Sequence, residues 1–397
     1  MTIDFILVES PSQMPGVEAT IAGSDLVGMD TEFVAEDCYR PDLCLLQIST
    51  REKVFIIDPK AVVDIDGLWD LLVQPEKTVV VHAGREEILF AYRATGSSIP
   101  KLFDVQLASG FLGNEYPASY GKLIQRILRQ VVPKGETRTD WRKRPLTKSQ
   151  LEYAALDVLH LPELHDRLTS ELSSMGRLDW FHAEVIRRQQ ILLESQNREA
   201  WSRISGVQTL SDRQLGIVRQ LWLWRESRAE LKNLPPRRVL RDDLIIELAR
   251  RGTADPKKIA HVRGLHFPGQ QRFIPELAQV IHLGLENPIV DAPWTSTSKG
   301  PRPPSLLQQY LTAGMSFLCR THNIAPGIVG TSDDVGRLAA YWIDESPTEY
   351  ELPLLLVGWR AELVGEPLHD IFSGRKALRV KDPTDEMPLD LCDIPND

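Results

Sequence analysis

The sequence predicts an α/β domain at the N-terminus followed by two all-helical units. Three observations predict it. Strand-like and helix-like segments alternate over residues 1–110, the pattern of a sheet with helices on its faces. From about residue 119 onward the apolar spacing becomes helical. A stretch rich in Pro, Ser, Thr and Gly, residues 287–304 (NPIVDAPWTSTSKGPRPP), divides the helical part in two.

Within the first domain, Leu26–Phe33, Cys44–Ser49 and Val54–Asp58 read as strands. Val79–His82 reads as a buried strand and Glu86–Ala94 as the helix after it. Leu123, Ile124, Ile127 and Leu128 share one helix face. Thr147-Lys148-Ser149-Gln150 fits a capping box, because Thr147 can cap the turn while Gln150 reaches back. The helix it opens runs through Leu151, Ala155, Val158 and Leu159, and Pro162 kinks or ends it. An extended polar helix over 177–204 leads out of this domain.

Helices are expected over 211–231, 240–251, 255–261 and 271–286, with breaks at Asn233-Leu-Pro-Pro236 and Arg263–Gly269. A third helical unit follows, ending in an acidic tail expected to be disordered. The resulting domains are 1–200, 205–290, a linker 291–304, 305–380, and the tail 381–397.

The chain has 397 residues, 42% hydrophobic and 25% charged, which suits a soluble protein with real cores. No window approaches the ~20 apolar residues of a membrane helix, which argues against a membrane partner. MTIDFILVESPSQ lacks the basic start of a secretory signal. The four cysteines form no C-x-x-C pair, so a reducing, cytoplasmic setting is expected. No G-x-x-x-x-G-K-[ST] is present, so no nucleotide cofactor is expected. No clustered His/Cys set suggests zinc.

Net charge is −9, but it is unevenly spread. Residues 1–70 carry four basic and fourteen acidic residues, and 330–397 carry six and fifteen. By contrast, residues 122–148 hold nine basic against two acidic, and 211–276 hold fourteen against eight. Salt screens distant charge beyond ~8–10 Å, so such stretches can bind phosphates on an acidic protein. Solvated helix faces would give the same counts.

The most informative residues are Asp30 and Glu32 in VGMDTEF. On a strand, Gly28, Asp30 and Glu32 face one side, while Val27, Met29, Thr31 and Phe33 face the other, apolar side. Two carboxylates side by side on a hydrophobic strand need neutralising, by Arg/Lys or by metal ions. Hard oxygen ligands favour magnesium or manganese. A lone D-x-E is more commonly a strand edge facing water. Tyr153 and Asp157, in EYAALD, lie one helical turn apart with β-carbons ~5–6 Å apart. His82-Ala-Gly-Arg-Glu-Glu87 leaves a buried strand and enters a helix, where side chains reach an active-site edge.

Together D-x-E, H-A-x-x-x-acid and Y-x-x-x-D resemble the DEDD exonuclease superfamily in its tyrosine-containing branch, and within it the ribonuclease D family. FDVQLAS (103–109) and KGETRTDWRKRPLTKSQLEYAALDV (134–158) support the resemblance. WRESRAELKNLPPRRVLRDDLIIELA (224–249) is similar to the HRDC nucleic-acid-binding module, and LLLVGWRAELVGEPLHDIF (354–372) to a second domain of that kind.

The resemblance implies a ribonuclease H-like α/β exonuclease domain followed by two all-helical HRDC-type domains. It implies 3′→5′ hydrolysis of RNA, with tRNA precursors or structured RNA 3′ ends as partners, two divalent metal ions (Mg²⁺ or Mn²⁺), and a monomer. Asp30, Glu32, Glu87 and Asp157 match the metal ligands, Asp30 the bridging one. Tyr153 matches the residue that orients the attacking water. The family usually has Asp where this chain has Glu87, one methylene longer. Reduced or metal-shifted activity is therefore expected, and an RNA-binding protein with a degraded site is the alternative; a DNA exonuclease using the same carboxylates is the third. Glu86 falls off the motif, and Asp104 reads as supporting structure. His82 reads as structural.

For RNA contacts, Arg138, Arg142, Lys143 and Arg144 lie just before the catalytic helix; Phe33 could wedge against the terminal base, though its place in a strand argues core packing at least as strongly. In the HRDC-like unit Arg225, Arg228, Lys232, Arg237, Arg238 and Arg241 form the densest basic set. Trp222 and Trp224 read as core.

Overall fold

The computed structural model describes residues 3–131, 139–265, 271–290, 303–344 and 352–395. Arg138 and residues 291–302 of the expected linker lie outside the described residues. The chain groups into two units, one of residues 1–32, 44–194 and 300–397, the other of 33–43 and 195–299.

The first unit is built on a six-stranded sheet of β1 (Ile6–Val8), β2 (Leu26–Val34), β3 (Asp42–Ser49), β4 (Val54–Ile57), β5 (Thr78–Val81) and β6 (Lys101–Asp104), in the order β1-β4-β3-β2-β5-β6. β5 runs parallel to β2 (Leu26 opposite Thr78) and to β6, while β3 and β4 are antiparallel (Gln47 opposite Ile56). VFII of β4 and VVV of β5 are buried on both faces, which is why they read as unbroken apolar runs.

Around the sheet stand α1 (Met14–Ala22), α2 (Pro59–Val62), α3 (Asp66–Leu72), α4 (Arg85–Thr95), α5 (Val105–Phe111), α6 (Tyr120–Leu123), α7 (Lys148–Leu159), α8 (Leu161–Ser174) and α9 (Leu178–Asn197). The strands and helices expected here are all present, with shifted ends. The Leu123–Leu128 face is split between α6 and one wide π-type turn, 124–128.

The capping box at the start of α7 is formed. Gln150 N donates to Thr147 Oγ1 (3.2 Å), and Thr147 N donates to Gln150 Oε1 (2.9 Å). Pro162 does not sit inside that helix. It occupies the first turn of α8, where its missing N–H is not needed. The junction packs tightly on β2: a Cβ at Gly28 would lie 2.3 Å from Ser49 Oγ and 2.8 Å from Leu161 Cβ, so only glycine fits.

The C-terminal residues belong to this first unit. Arg177 is buried and donates to the carbonyls of Phe111 (2.6 Å) and Asn323 (2.8 Å) and to that of His322. Trp359 stacks on Trp180 with centroids 5.5 Å apart. Glu184, 1% exposed, is bonded by Arg187, Arg188 and Arg360. The expectations of an all-helical ending and a disordered tail are both corrected. Residues 376–380 and 389–393 form an antiparallel hairpin, Leu378 opposite Leu391. Its turn is pinned by Thr384 N–H donating to Asp382 Oδ1 (2.9 Å). The alternation that makes this hairpin was hidden by its high charge.

In the second unit α10 (Asp212–Lys232), α11 (Pro236–Val239), α12 (Asp242–Arg251), α13 (Pro256–Ala260) and α14 (Ile274–Glu286) enclose a core of Leu215, Val218, Leu221, Ile245, Leu248, Leu277 and Ile281. α10 and α14 cross at glycine: a Cβ on Gly216 would lie 2.4 Å from Gly284 O. Trp222 and Trp224 pack against this core. The connection 33–43 groups with these helices, Tyr39 N donating to Asn233 Oδ1 (3.1 Å) and Arg40 pairing with Glu230 (2.6 Å). Among the described residues no helix is long and apolar enough to cross a membrane.

Candidate active site

β2 carries Asp30 and Glu32 on one face, and α7 carries Tyr153 and Asp157 one turn apart. Oxygens of Asp30, Glu32 and Asp157 lie within 4.8 Å of one another. Three acids this close oppose one another's ionisation unless a cation is present. Burial, then the charges of Glu87, Asp157 and Glu32, raises Asp30 well above the ordinary carboxylate range. Burial, then Asp157 and Glu87, pushes Glu32 up to about 8. Burial pushes Asp157 up to about 7 against the pull of a hydrogen bond from Tyr153. Burial, then the charges of Asp157 and Glu32, raises the Tyr153 phenol, which keeps its proton at neutral pH. Trp141, from the T-D-W stretch, is buried beside it, ring centroids 6.2 Å apart.

Glu87 lies in the first turn of α4, 6% exposed. It is near enough for its charge to raise Asp30 and Glu32, yet it is not in the 4.8 Å group. Its Oε1 instead accepts from Thr31 Oγ1 at 2.5 Å. Burial pushes it up to about 7, with the Thr31 bond opposing. Thr31 thus modifies the expected apolar face of β2. Glu86 pairs with Arg85. Asp104 caps α5, accepting from Gln106 N (2.9 Å) and Leu107 N (3.3 Å), and also from Ala83 N (3.1 Å). His82 Nε2 is 2.9 Å from Ala118 O.

One neighbour carries no signal in the spacing of the motifs. Tyr120 is raised well above the usual phenol range by burial, then by the charges of Asp157 and Asp30, and its buried hydroxyl finds no acceptor among the described residues. It reaches the site from α6, a four-residue helix, so no periodicity marks it.

The basic residues divide. Arg225 is 5% exposed and spent on Asp242 (2.6 Å), Glu226 and Leu240 O, so its expected RNA contact is corrected to a bracing role. Arg144 is likewise committed, to Asp58 and to Cys44 O (2.9 Å). Lys143 is exposed and Arg142 half-buried. Phe33 is half-buried at the end of β2. Arg228, Lys232, Arg237, Arg238 and Arg241, joined by Arg272, line a cavity of about 460 Å³; of these, Arg228 pairs with Glu276, Arg237 with Asp242 and Arg241 with Asp243. Arg272 was outside the expected set because it lies after the break that precedes α14.

Residues 5–173 match the family model of the 3′-5′ exonuclease, and residues 214–281 that of the HRDC domain. The chain is 32% identical over 372 residues to ribonuclease D of Sphingobium indicum, covering 91% of this chain and 93% of that protein. It is 33% identical over 347 residues to ribonuclease D of Pseudomonas paraeruginosa, covering 86% and 90%. The crystal structure of Escherichia coli RNase D, an exoribonuclease involved in structured RNA processing, aligns with a TM-score of 0.78 at 23% identity, covering 94% of this chain and 99% of that one. The catalytic core of RRP6 from Trypanosoma brucei aligns at 0.53 and 21% identity, covering 72% and 80%. Both structures share the fold.

Proposed function

The chain belongs to the ribonuclease D family of 3′→5′ exoribonucleases, and on that premise we propose that it trims RNA 3′ ends, tRNA precursors among them, by two-metal hydrolysis. The observation that carries this reading is the group of three carboxylates within 4.8 Å, with Glu32 and Asp157 pushed up to about 8 and about 7. A donor set of carboxylate oxygens, with no nitrogen or sulfur, fits Mg²⁺ or Mn²⁺. Asp30, Glu32 and Asp157 would hold the ions, with Glu87 as the further acidic residue at their edge. Such a pair, when bound, neutralises the phosphodiester and acidifies water.

The chain's own residues do the rest. Tyr153 holds its proton and is fixed by Asp157, so it orients the attacking water rather than deprotonating it. Water adds to phosphorus, the bond to the 3′ oxygen breaks, and that oxygen leaves with a proton, releasing a nucleoside 5′-monophosphate. Lys143 and Arg142 flank the incoming strand. The cation-lined cavity of the helical unit supports a hold on the RNA body. The protein works as a monomer in the cytoplasm.

A 5′-labelled RNA with a single-stranded 3′ end tests this. Shortening by single nucleotides in Mg²⁺ or Mn²⁺, stopped by EDTA and absent in Asp30→Ala, is the expected result. Cleavage that persists in Asp30→Ala overturns it. A DNA of the same sequence reads the dependence on the 2′-hydroxyl.

A second reading has its own observation: Glu87 is turned onto Thr31 instead of into the cluster. It makes the protein an RNA binder with a weakened site. A large gain in rate for Glu87→Asp, above a wild type that barely cleaves, favours that reading. Equal rates remove it.

A further inference from the structure

Gln47 is fully buried, and among the described residues neither its Nε2 nor its Oε1 has a hydrogen-bond partner. Buried amides are almost always paired, because an unmade hydrogen bond in the interior costs stability. The strand around it, DLCLLQIS, is otherwise apolar at its centre. A leucine or methionine would fill this place without that cost.

Its position shows what the amide serves. β2 and β3 are neighbours joined by the short connection 35–41, so they run antiparallel. Ser49 Oγ sits 2.3 Å from where a Cβ on Gly28 would be, and it donates to Val158 O of α7 at 2.7 Å. Gly28 and Ser49 are therefore opposite one another on the face covered by α7. Two residues on along β2 is Asp30, and two back along β3 is Gln47. Strand periodicity keeps both on that face, as cross-strand neighbours with β-carbons ~4.5–5.5 Å apart. On the other flank Gln47 is opposite Ile56, which offers its side chain nothing polar.

We propose that Gln47 is a positioning residue for the metal site, its amide N–H donating to the Asp30 carboxylate when divalent cations are bound and so fixing which oxygens face the ions. The proposal rests on reading Asp30, Glu32 and Asp157 as metal ligands. Partners one layer out from a metal orient its ligands in this way, and their loss typically weakens metal binding by ~10–100-fold.

Gln47→Met keeps the length of the side chain and removes the amide. Calorimetric titration of the metal-free variant with Mn²⁺ reads the effect directly. The expected result is Mn²⁺ binding ~10–100-fold weaker, with the melting temperature kept or raised, kcat lowered and KM for RNA unchanged. A residue that only fills the core would leave Mn²⁺ binding and kcat within twofold of wild type, and that result overturns the proposal. Gln47→Asn retains the amide but draws it back by one methylene. It is expected to lose less Mn²⁺ affinity than the methionine variant, and it decides the matter if Gln47→Met does not fold. Asp30→Ala, titrated alongside, separates the two readings. If it binds Mn²⁺ like wild type, the metal-site reading fails. If it loses Mn²⁺ while Gln47→Met keeps it, only the role of Gln47 fails.

Discussion

Glu184 and Glu32 are both glutamates buried to different degrees in the first unit, and they ionise in opposite ways. Burial alone would raise both. At Glu184 hydrogen bonds from Arg187, Arg188 and Arg360 and the charge of Arg360 win, and the carboxyl is held down at about 2. At Glu32 the neighbours are Asp157 and Glu87, and the carboxyl is pushed up to about 8. The chain has neutralised one site from within and left the other to be neutralised from outside. A buried acid with its own arginines belongs to the framework; a group of half-buried acids that raise one another is prepared for a cation that arrives.

Substitution should break the two sites in different observables. Asp30→Ala removes an acid whose charge is unwelcome in the free protein, so the fold should hold. RNA cleavage should fall by on the order of 10³-fold, the several kcal/mol that bound metal contributes. Glu184→Gln should do the reverse. It leaves Arg360, 3% exposed, as a buried charge without its carboxylate. Denaturant unfolding should show a loss of about 3–5 kcal/mol, while the rate per folded molecule stays at the wild-type value. A stable Glu184→Gln, or an unfolded Asp30→Ala, would erase the distinction.

Proton linkage sharpens it further. Glu32 and Asp157 have ordinary values of 4.5 and 3.8 and folded values of about 8 and about 7. Between those limits the folded metal-free protein keeps protons that the unfolded chain has released, so their contribution to stability falls as pH rises from about 4 to about 8. Saturating Mg²⁺ or Mn²⁺ should abolish that slope, because metal binding expels those protons. Glu184 has the opposite sign: its contribution is present above about 4.5 and lost as pH falls through about 2. Melting curves of the EDTA-treated and metal-loaded protein across this range read both. A metal-free slope unchanged by Mg²⁺ counts against the site.

What could be read from sequence was spacing within one element. Asp30 and Glu32 two apart on a strand, Tyr153 and Asp157 four apart on a helix, and the box at Thr147 and Gln150 are statements about one element's geometry, and all three are seen in the fold. What could not be read was the partner supplied by a different element. Glu87 satisfies the spacing of its motif, yet Thr31 captures its carboxylate. Arg225 belongs to the densest basic run, yet Asp242, seventeen residues on, holds it in the interior. Gln47 and Tyr120 are isolated polar residues whose surroundings are set by other elements: β3 lies beside β2, and Tyr120 of α6 comes within reach of the charges of Asp157 and Asp30. The C-terminal hairpin was missed for a different reason: Lys376, Arg379, Asp390 and Asp393 dilute the alternation of a strand that is barely buried.

The basic residues of the helical unit repeat the contrast on a smaller scale. Arg225 is internally paired, as Glu184 is, while Arg238 lines the cation-rich cavity with its side chain exposed. A cation that meets RNA phosphate releases counterions, so its loss lowers the slope of log affinity against log salt by about 0.7–0.9 per contact. Arg238→Ala should show that shallower slope in RNA binding with an unchanged melting temperature. Arg225→Ala should melt earlier, because Leu240 O and Asp242 Oδ1 each lose a hydrogen bond from the buried guanidinium, and should keep the wild-type slope wherever it is folded. If both variants change the slope equally, pairing inside the fold does not decide which arginine is available to a ligand. The difference drawn between Glu184 and Glu32 would then not extend to the positive charges.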